Sequence, residues 1–473
     1  MKFSSVNICM LLVFITAMFS FISCDSTTRT EQSEEPTKEM VGTAPAEVRH
    51  FFHAWLADCV NGVIRDSIWL VGDDPTEELR SLARERISST RNSMSIVFAI
   101  GLEELVWGPE LVIDYDGGDS YISKNLMYCT KIYDSNHNPI YNIGIAGTNM
   151  ISHYDWFSED MPVTQQSKWN FGGAISQGSM TGFEKLNALT SSGKNLLTFL
   201  QEEFANNPNM TINVAGHSLG GALTQVYASY LKGSIKNSDQ KSPKVEAWVY
   251  AGPTAGNSEF ATTLVQHLEG YHAYNNANDL VPHAWQSDRL AQACAIYNDK
   301  RVCGVQIAGN QAINGFVKAL QLKANNAINN YTIPGTPHVF IGEAANLGSP
   351  SCDGVAAAIK AFWKTGKYND VYLRLNELNK RCDNYQDISA EAFASFFYYL
   401  TEMGVQHTTA YFDYFFRNQS EDFKNDVNTL VPNEHDLITD SDNLEQGKLL
   451  LEDAFYMANK VLTDHGTTNC NCK

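Results

Sequence analysis

Ile212 to Tyr230 reads INVAGHSLGGALTQVYASY. It opens as a short, apolar, β-rich run and closes as a helix-forming stretch. Between them lies Gly216-His217-Ser218-Leu219-Gly220, a G-x-S-x-G pattern in a strand–turn–helix setting. The chemistry explains the spacing. A serine on a sharp, strained turn projects its hydroxyl into a cleft, and the flanking glycines remove Cβ atoms that would clash there. A helix starting just beyond Ser218 aims backbone N–H groups and its positive dipole end at negative charge developing on an attacked carbonyl oxygen. A bare G-x-S-x-G arises by chance in many proteins, so the correct strand before it and helix after it supply the specificity.

Outward from this turn the chain alternates. Asn125–Tyr133 and Tyr141–Ala146 read as strands around the turn-rich Asp134–Pro139, and Met210–Ala215, Val245–Ala251 and Tyr271–Asn275 read as buried strands separated by helices. Glu47–Asp66 and Thr76–Leu105 carry helical apolar spacing, the second opened by Asp74-Pro75. This interleaving predicts an α/β fold: a mostly parallel sheet flanked by helices. Asp134–Asn138 superficially suggests a calcium loop, but Pro139 stands where glycine is required and Ile145 where a bidentate Glu is required, so a hairpin turn is the reading.

Further motifs resemble one family. Ile143-Gly144-Ile145-Ala146-Gly147-Thr148-Asn149 resembles the strand and R-G-T/S oxyanion loop of the class 3 (fungal-type) lipases, which have the α/β-hydrolase fold, and GHSLGGAL resembles their elbow. His153–Asp160 resembles the D-W-x-x-D segment, Tyr250–Asn257 the F-G-x-P-x-x-G-N segment, and Asn278–His283 (NDLVPH) the D-x-V-P-H acid turn. The resemblance runs in register over about residues 120–285 and more loosely to about 415. It implies a serine nucleophile at Ser218, a catalytic acid at Asp279, and an oxyanion hole from the backbone N–H groups of Thr148 and Leu219. Ala146 departs from the pattern, standing where the family has Arg, and this leaves open how the oxyanion loop is braced.

A triad also needs a histidine after the acid. Five follow Asp279: His283, His338, His407, His435 and His465. His435 and His465 lie in an acidic stretch and a terminal tail, whereas a base must be held within hydrogen-bond reach of the serine. His283, like His217, reads as a pocket-wall or packing residue. His338, in a strand-like run over Pro334–Ile341, resembles the family's H-V-G strand. His407, in Gln406-His407-Thr408-Thr409-Ala410-Tyr411-Phe412, resembles the family's H-S-x-x-x-Y-L pattern and is the assigned base, with His338 the alternate.

Tyr154, Trp156, Phe157 and Trp169 crowd Met150–Gly173, the place of the family's lid. Either they form the apolar underside of a lid over an acyl cleft, or they pack in a fixed loop on the sheet. Residues 284–400 exceed what the family needs between acid and histidine and read as a largely helical insertion, with helices over Ala284–Asn330, Ser351–Lys367 and Ala390–Met403.

The N-terminus has its own logic. Lys2 precedes Ile8–Ile22, an unbroken apolar run of fifteen residues, too short to span a bilayer and right for a signal peptide. Phe21-Ile22-Ser23-Cys24 resembles a bacterial lipobox, which implies lipidation at Cys24 and attachment to a cell-envelope membrane; the alternative is an ordinary secretory peptide and a periplasmic or secreted protein. The expected organisation is a signal peptide at 1–23, a tether at 24–46, the catalytic domain at 47–430 and an acidic segment at 431–473.

Composition sets the outer bounds. The chain has 473 residues, 44% hydrophobic, with 53 acidic against 34 basic side chains. That excess disfavours nucleic acid as a partner, and an anionic lipid surface would repel the body. Cys294–Cys303 and Cys352–Cys382 are the least demanding disulfide pairs in an exported chain. The absence of a CxxC pair argues against a structural zinc site, and the chemistry calls for no cofactor or metal. The expected activity is hydrolysis of carboxylic esters of lipids through an acyl-enzyme. The rival readings are a non-lipid carboxylesterase and a non-catalytic ligand-binding lipoprotein on the same fold. Oligomeric state is not legible.

Overall fold

The computed structural model describes residues 44–63, 75–97, 101, 103–115, 121–147, 162–293, 295–297, 301–307, 311–343, 373 and 389–417. The signal stretch, Cys24, nearly all of the tether, the acidic segment 431–473, Thr148, Tyr154, Trp156, Phe157, Cys294, Cys352, Cys382, Ser351–Lys367, His435 and His465 lie outside the described residues.

The main sheet has seven strands in the described residues, and their spatial order follows the chain: β1 (Glu104–Tyr115), β2 (Tyr121–Tyr133), β3 (Pro139–Ile145), β4 (Thr211–His217), β5 (Lys244–Tyr250), β6 (Gly270–Asn276) and β7 (His338–Phe340). β1, β2 and β3 form an antiparallel meander, and β3 through β7 run parallel. Helices occupy the crossovers, as parallel pairing demands. They are α3 (Gln177–Ala188) and α4 (Leu196–Asn206) before β4, α5 (Leu219–Ser234) before β5, and α6 (Ser258–His267) before β6. The fold is thus α/β, with a mostly parallel sheet flanked by helices.

The pleat sorts each strand's side chains between two cores. Met127, Cys129, Ile143, Ile212, Val214, Val245 and Ala247 face α3, α4 and α5. Leu126, Tyr128, Ala215, Trp248 and Tyr250 face the opposite layer, built from α1 (Ala46–Val63), α2 (Pro75–Val97) and the aromatic run Tyr411–Phe416. On α1, Phe51, Phe52, Trp55, Leu56 and Val60 form an apolar stripe at helical spacing. A buried polar seam fixes that helix. His53 bonds to Glu103 at 3.2 Å and to the Tyr128 hydroxyl at 3.1 Å. Glu103 also accepts from Thr130 and Asn142, and Asn213 donates to Asn142 at 2.9 Å, carrying the seam across β2, β3 and β4.

Several expectations shift in detail. The helix expected over Thr76–Leu105 is described to Val97; Gly101 then sits at φ 98°, and Glu104 already begins β1. That strand is hidden in sequence by Gly108-Pro109, which the structure places between register shifts on the sheet edge, where proline is tolerated. Ala284–Asn330 is not one helical stretch: it holds the helices α7 (Ser287–Ala293) and α8 (Gln311–Asn325), with a two-stranded ribbon of Arg301–Val302 and Val305–Gln306 between them. The Asp134 turn is a hairpin closed on itself, its carboxylate accepting the Asn136 and Asn138 N–H groups at 2.8 and 2.7 Å. Cys303 is disulfide-bonded, while Cys129 is a buried free thiol.

Candidate active site

The carboxyl ends of β3, β4 and β6 converge, as expected of a parallel sheet whose site lies beyond its strand ends. β4 delivers Ser218 on the elbow. Ser218 holds φ 58°, ψ −129°, a strained conformation for a residue with a Cβ, and its N–H is anchored to the Tyr250 carbonyl at 2.9 Å. Two glycines make the turn possible. A Cβ on Gly216 would run into the Gly220 carbonyl, and one on Gly220 into the carbonyl of Ile145 and the Ala146 main chain. The G-x-S-x-G spacing is therefore a requirement of close backbone approach between β3, β4 and α5. Leu219 is the first residue of α5, and an N–H there has no acceptor within its own helix.

Asp279 follows β6 by three residues and is fully buried. Its Oδ1 accepts the Val281 N–H at 3.0 Å, and its Oδ2 accepts from the Tyr411 hydroxyl at 3.1 Å and from His407 Nδ1 at 2.8 Å. The other nitrogen, His407 Nε2, lies 2.8 Å from Ser218 Oγ. Because Nδ1 donates to a carboxylate, Nε2 carries the lone pair that accepts the serine O–H. His407 ends the helix α9 (Ala390–His407), whose last turn is tied down by its neighbour. Gln406 accepts Asn276 Nδ2 at 2.6 Å and donates to Glu402 at 2.8 Å. Asn276 in turn accepts the Asn278 and Gly342 N–H groups at 3.0 and 2.9 Å, so the ends of β6 and α9 are pinned together.

Residues 142–288 match the family model for lipase (class 3). Over these residues the chain is similar to the class 3 lipases. Ser218 and Asp279 fall within this lipase-like segment, and His407 lies beyond it. An 83-residue stretch is 32% identical to the secreted mono- and diacylglycerol lipase A of Penicillium cyclopium and equally to that of Penicillium camembertii. That stretch is 18% of this chain and 25% of each relative, so the chain spans about a quarter of the length of the curated relatives it matches. Among solved structures, M37 lipase superposes with a TM-score of 0.53 at 19% identity, covering 87% of this chain and 99% of that one. That likeness of fold reaches well beyond residues 142–288.

The remaining expected residues divide. Thr148 is outside the described residues, but the strand end of the lipase-like segment that leads to it is described: a Cβ on Gly147 would lie 3.2 Å from Ser218 Cβ. His338 sits in the edge strand β7, exposed and stacked on Tyr274 at 4.9 Å, and His283 bonds to the Arg289 carbonyl at 3.3 Å. Of the lid and fixed-packing alternatives for Trp169, its burial in the core beside α5 fits the second: it donates to Ser229 Oγ at 3.0 Å and packs edge-on against Phe183. Its indole is buried and hydrogen-bonded on the side of the sheet that faces α3 to α5.

Sequence reasoning missed Asn276 and Gln406 as the clamp on the histidine, and it missed Asp58. Asp58 accepts the Gly147 N–H at 2.5 Å and bonds to His217 at 2.8 Å. One signal existed: an acidic residue following the largely apolar Phe51–Ala57 on α1. No group of three or more potential metal ligands occurs among the described residues.

Proposed function

We propose that this protein is a serine ester hydrolase acting on carboxylic esters of lipids, with Ser218 as nucleophile, His407 as general acid–base and Asp279 as the orienting acid. The observation that carries the reading is His407, bridging Ser218 Oγ and Asp279 Oδ2 at 2.8 Å on either side. His407 Nε2 takes the serine proton as Oγ attacks the ester carbonyl. The tetrahedral oxyanion is held by the N–H groups of Leu219 and Thr148, and losing one such donor typically costs about 10²–10³ in turnover. His407 then protonates the departing alcohol, and a water activated by the same nitrogen hydrolyses the acyl-enzyme. Asp279 holds the imidazole tautomer and stabilises the imidazolium between these steps.

A glycerolipid acyl ester is the substrate class supported by the lipase-like segment and by the Penicillium relatives. A fluorophosphonate probe is expected to label the wild type and not Ser218→Ala; a folded wild type that never labels would sink the hydrolase reading. His407→Ala should abolish ester turnover while His338→Ala retains it. Long-chain emulsified esters should be turned over faster than short soluble ones; the reverse preference would move the assignment to a non-lipid carboxylesterase.

The apolar run Ile8–Ile22 ahead of Cys24 supports attachment to a membrane through acyl groups on Cys24. Metabolic acyl labelling lost in Cys24→Ser tests this. A fully soluble, unlabelled wild type would overturn it.

A further inference from the structure

The oxyanion strand of this chain lacks the arginine of the R-G-T pattern, and the structure supplies a different brace. Asp58, on α1, is bonded to two elements at once. Its Oδ1 accepts the Gly147 N–H at 2.5 Å and its Oδ2 meets His217 Nδ1 at 2.8 Å. One turn along the same helix, Asn61 Nδ2 donates to the Gly147 carbonyl at 3.5 Å. The far nitrogen of the His217 ring, Nε2, lies 2.7 Å from the main-chain carbonyl of His407.

The partners bear on the protonation of that ring. A main-chain carbonyl only accepts, so Nε2 must carry a proton. Asp58 Oδ2 faces Nδ1 at 2.8 Å, a contact that suits a proton there as well. The two contacts together suit an imidazolium held between a carboxylate and a carbonyl. Burial pulls this ring down, but the hydrogen bond and charge of Asp58, with the His407 carbonyl and the Asp279 charge adding, outweigh it and hold the ring above the ordinary histidine range. Those groups face it from α1, α9 and the turn after β6; the His407 ring lies 4.7 Å and the Tyr411 ring 5.6 Å away.

We propose that Asp58 and His217 form a positioning pair for the ester chemistry: a charged relay that fixes the oxyanion strand end at Gly147 and the main chain of His407 relative to Ser218. The inference rests on the serine-hydrolase reading above. The three connected points are the ones whose relative placement decides catalysis: the residue before Thr148, the residue before the nucleophile, and the backbone of the base. None of these bonds touches substrate, so the pair acts through Thr148 and His407. A displacement near 1 Å at such points costs on the order of 10²-fold in rate.

The test combines a spectrum with kinetics. In the full chain with ¹⁵N-histidine, His217, identified by its absence in His217→Gln, is expected to show both ring nitrogens protonated at pH 7.5. With a short soluble ester, Asp58→Asn and His217→Gln are expected to lower kcat on the order of 10²-fold with KM nearly unchanged. Asp58→Glu, which keeps the charge, should recover part of the loss. A neutral His217 ring in the wild type at pH 7.5 would overturn the proposal, and this needs no variant to fold. A folded Asp58→Asn enzyme with wild-type kcat would overturn it too. Failure of the hydrolase reading looks different, because then the wild type itself neither labels with fluorophosphonate nor turns over ester.

Discussion

Asp279→Asn is the substitution whose outcome the geometry determines most closely. The carboxylate meets a fixed donor, the Val281 N–H on Oδ1, and two adjustable ones, Tyr411 O–H and His407 Nδ1–H on Oδ2. An asparagine amide must choose. If its oxygen faces Tyr411 and His407, its NH₂ opposes a backbone N–H that cannot rotate away, at about 1–3 kcal/mol for the unsatisfied buried donors. If its oxygen faces Val281, the hydroxyl can turn and the imidazole can change tautomer, so this orientation prevails. His407 then carries its proton on Nε2 and cannot accept one from Ser218. Reaction must pass through the minor orientation, and there the neutral amide no longer stabilises the imidazolium, a loss of about 4 kcal/mol for a charge pair near 4 Å at an effective dielectric of 20. Together these raise the barrier by about 5–7 kcal/mol, which is roughly 10⁴–10⁵ in kcat at 1.36 kcal/mol per decade. KM should barely change, and circular dichroism should report a folded protein. Steady-state hydrolysis of a short p-nitrophenyl ester measures it. A folded Asp279→Asn variant that loses less than about 10²-fold would refute the argument, and with it the placement of the acid.

Other consequences are simpler. Gly220→Ala drives a Cβ into the Ile145 carbonyl and the Ala146 main chain, neither of which can yield as a side chain would; thermal unfolding should show a loss of about 1–3 kcal/mol, with ester turnover falling as the elbow shifts. Trp169→Phe removes the Ser229 bond and part of a filled core; a loss of about 1–3 kcal/mol is expected, with an unchanged preference between emulsified and soluble esters, and a changed preference would return Trp169 to the lid. Stability should fall off on both sides of neutrality. The His217 ring is held above its unfolded value, so its contribution is full below the ordinary histidine range and fades as pH rises through the raised value. The Tm gap between wild type and His217→Gln should therefore narrow with rising pH. His50 is buried against Trp248 at 4.3 Å, and burial first, then the neighbouring His53, Arg49 and His272, hold it well below the ordinary value. Its contribution is present above the ordinary histidine range and is lost as pH falls below it, so His50→Phe should flatten the acid side of a Tm–pH curve.

What the sequence displayed was what short-range chemistry dictates. The elbow is legible because Gly216, Ser218 and Gly220 are constrained by backbone contacts within a few residues of one another, and the buried strands β4 and β5 are legible because both their faces are covered. β1 was not, because Gly108-Pro109 contradicts strand propensity locally and only the edge position and the register shifts reconcile them. Trp169 was ambiguous for a related reason: an aromatic in a loop-rich stretch looks the same whether it caps a cleft or fills a core, and only the partner on α5 separates the two.

The chemistry divides along the same line. Ser218 and Asp279 sit in motifs that carry their own geometry, a strained turn and a strand end. His407 could be singled out among five histidines only through the pattern around it. What positions these residues is non-local throughout: Asp58 lies 159 residues from His217, and Asn276 lies 130 from Gln406. Such pairs have no spacing to read, since each partner satisfies its bonding only after the sheet has closed. The alanine in place of arginine before Gly147 was legible as a missing support, and a missing support says that a substitute must exist without saying where. The substitute comes from α1, a helix whose seven residues before Asp58 are buried and which the Glu103 seam locks onto the sheet. The order of dependence follows: the apolar stripe and His53 fix α1, α1 fixes Asp58, and Asp58 with His217 holds the oxyanion strand end and the backbone of the base. A substitution deep in that seam, such as Glu103→Gln, should therefore reach the active site through kcat before it unfolds the protein.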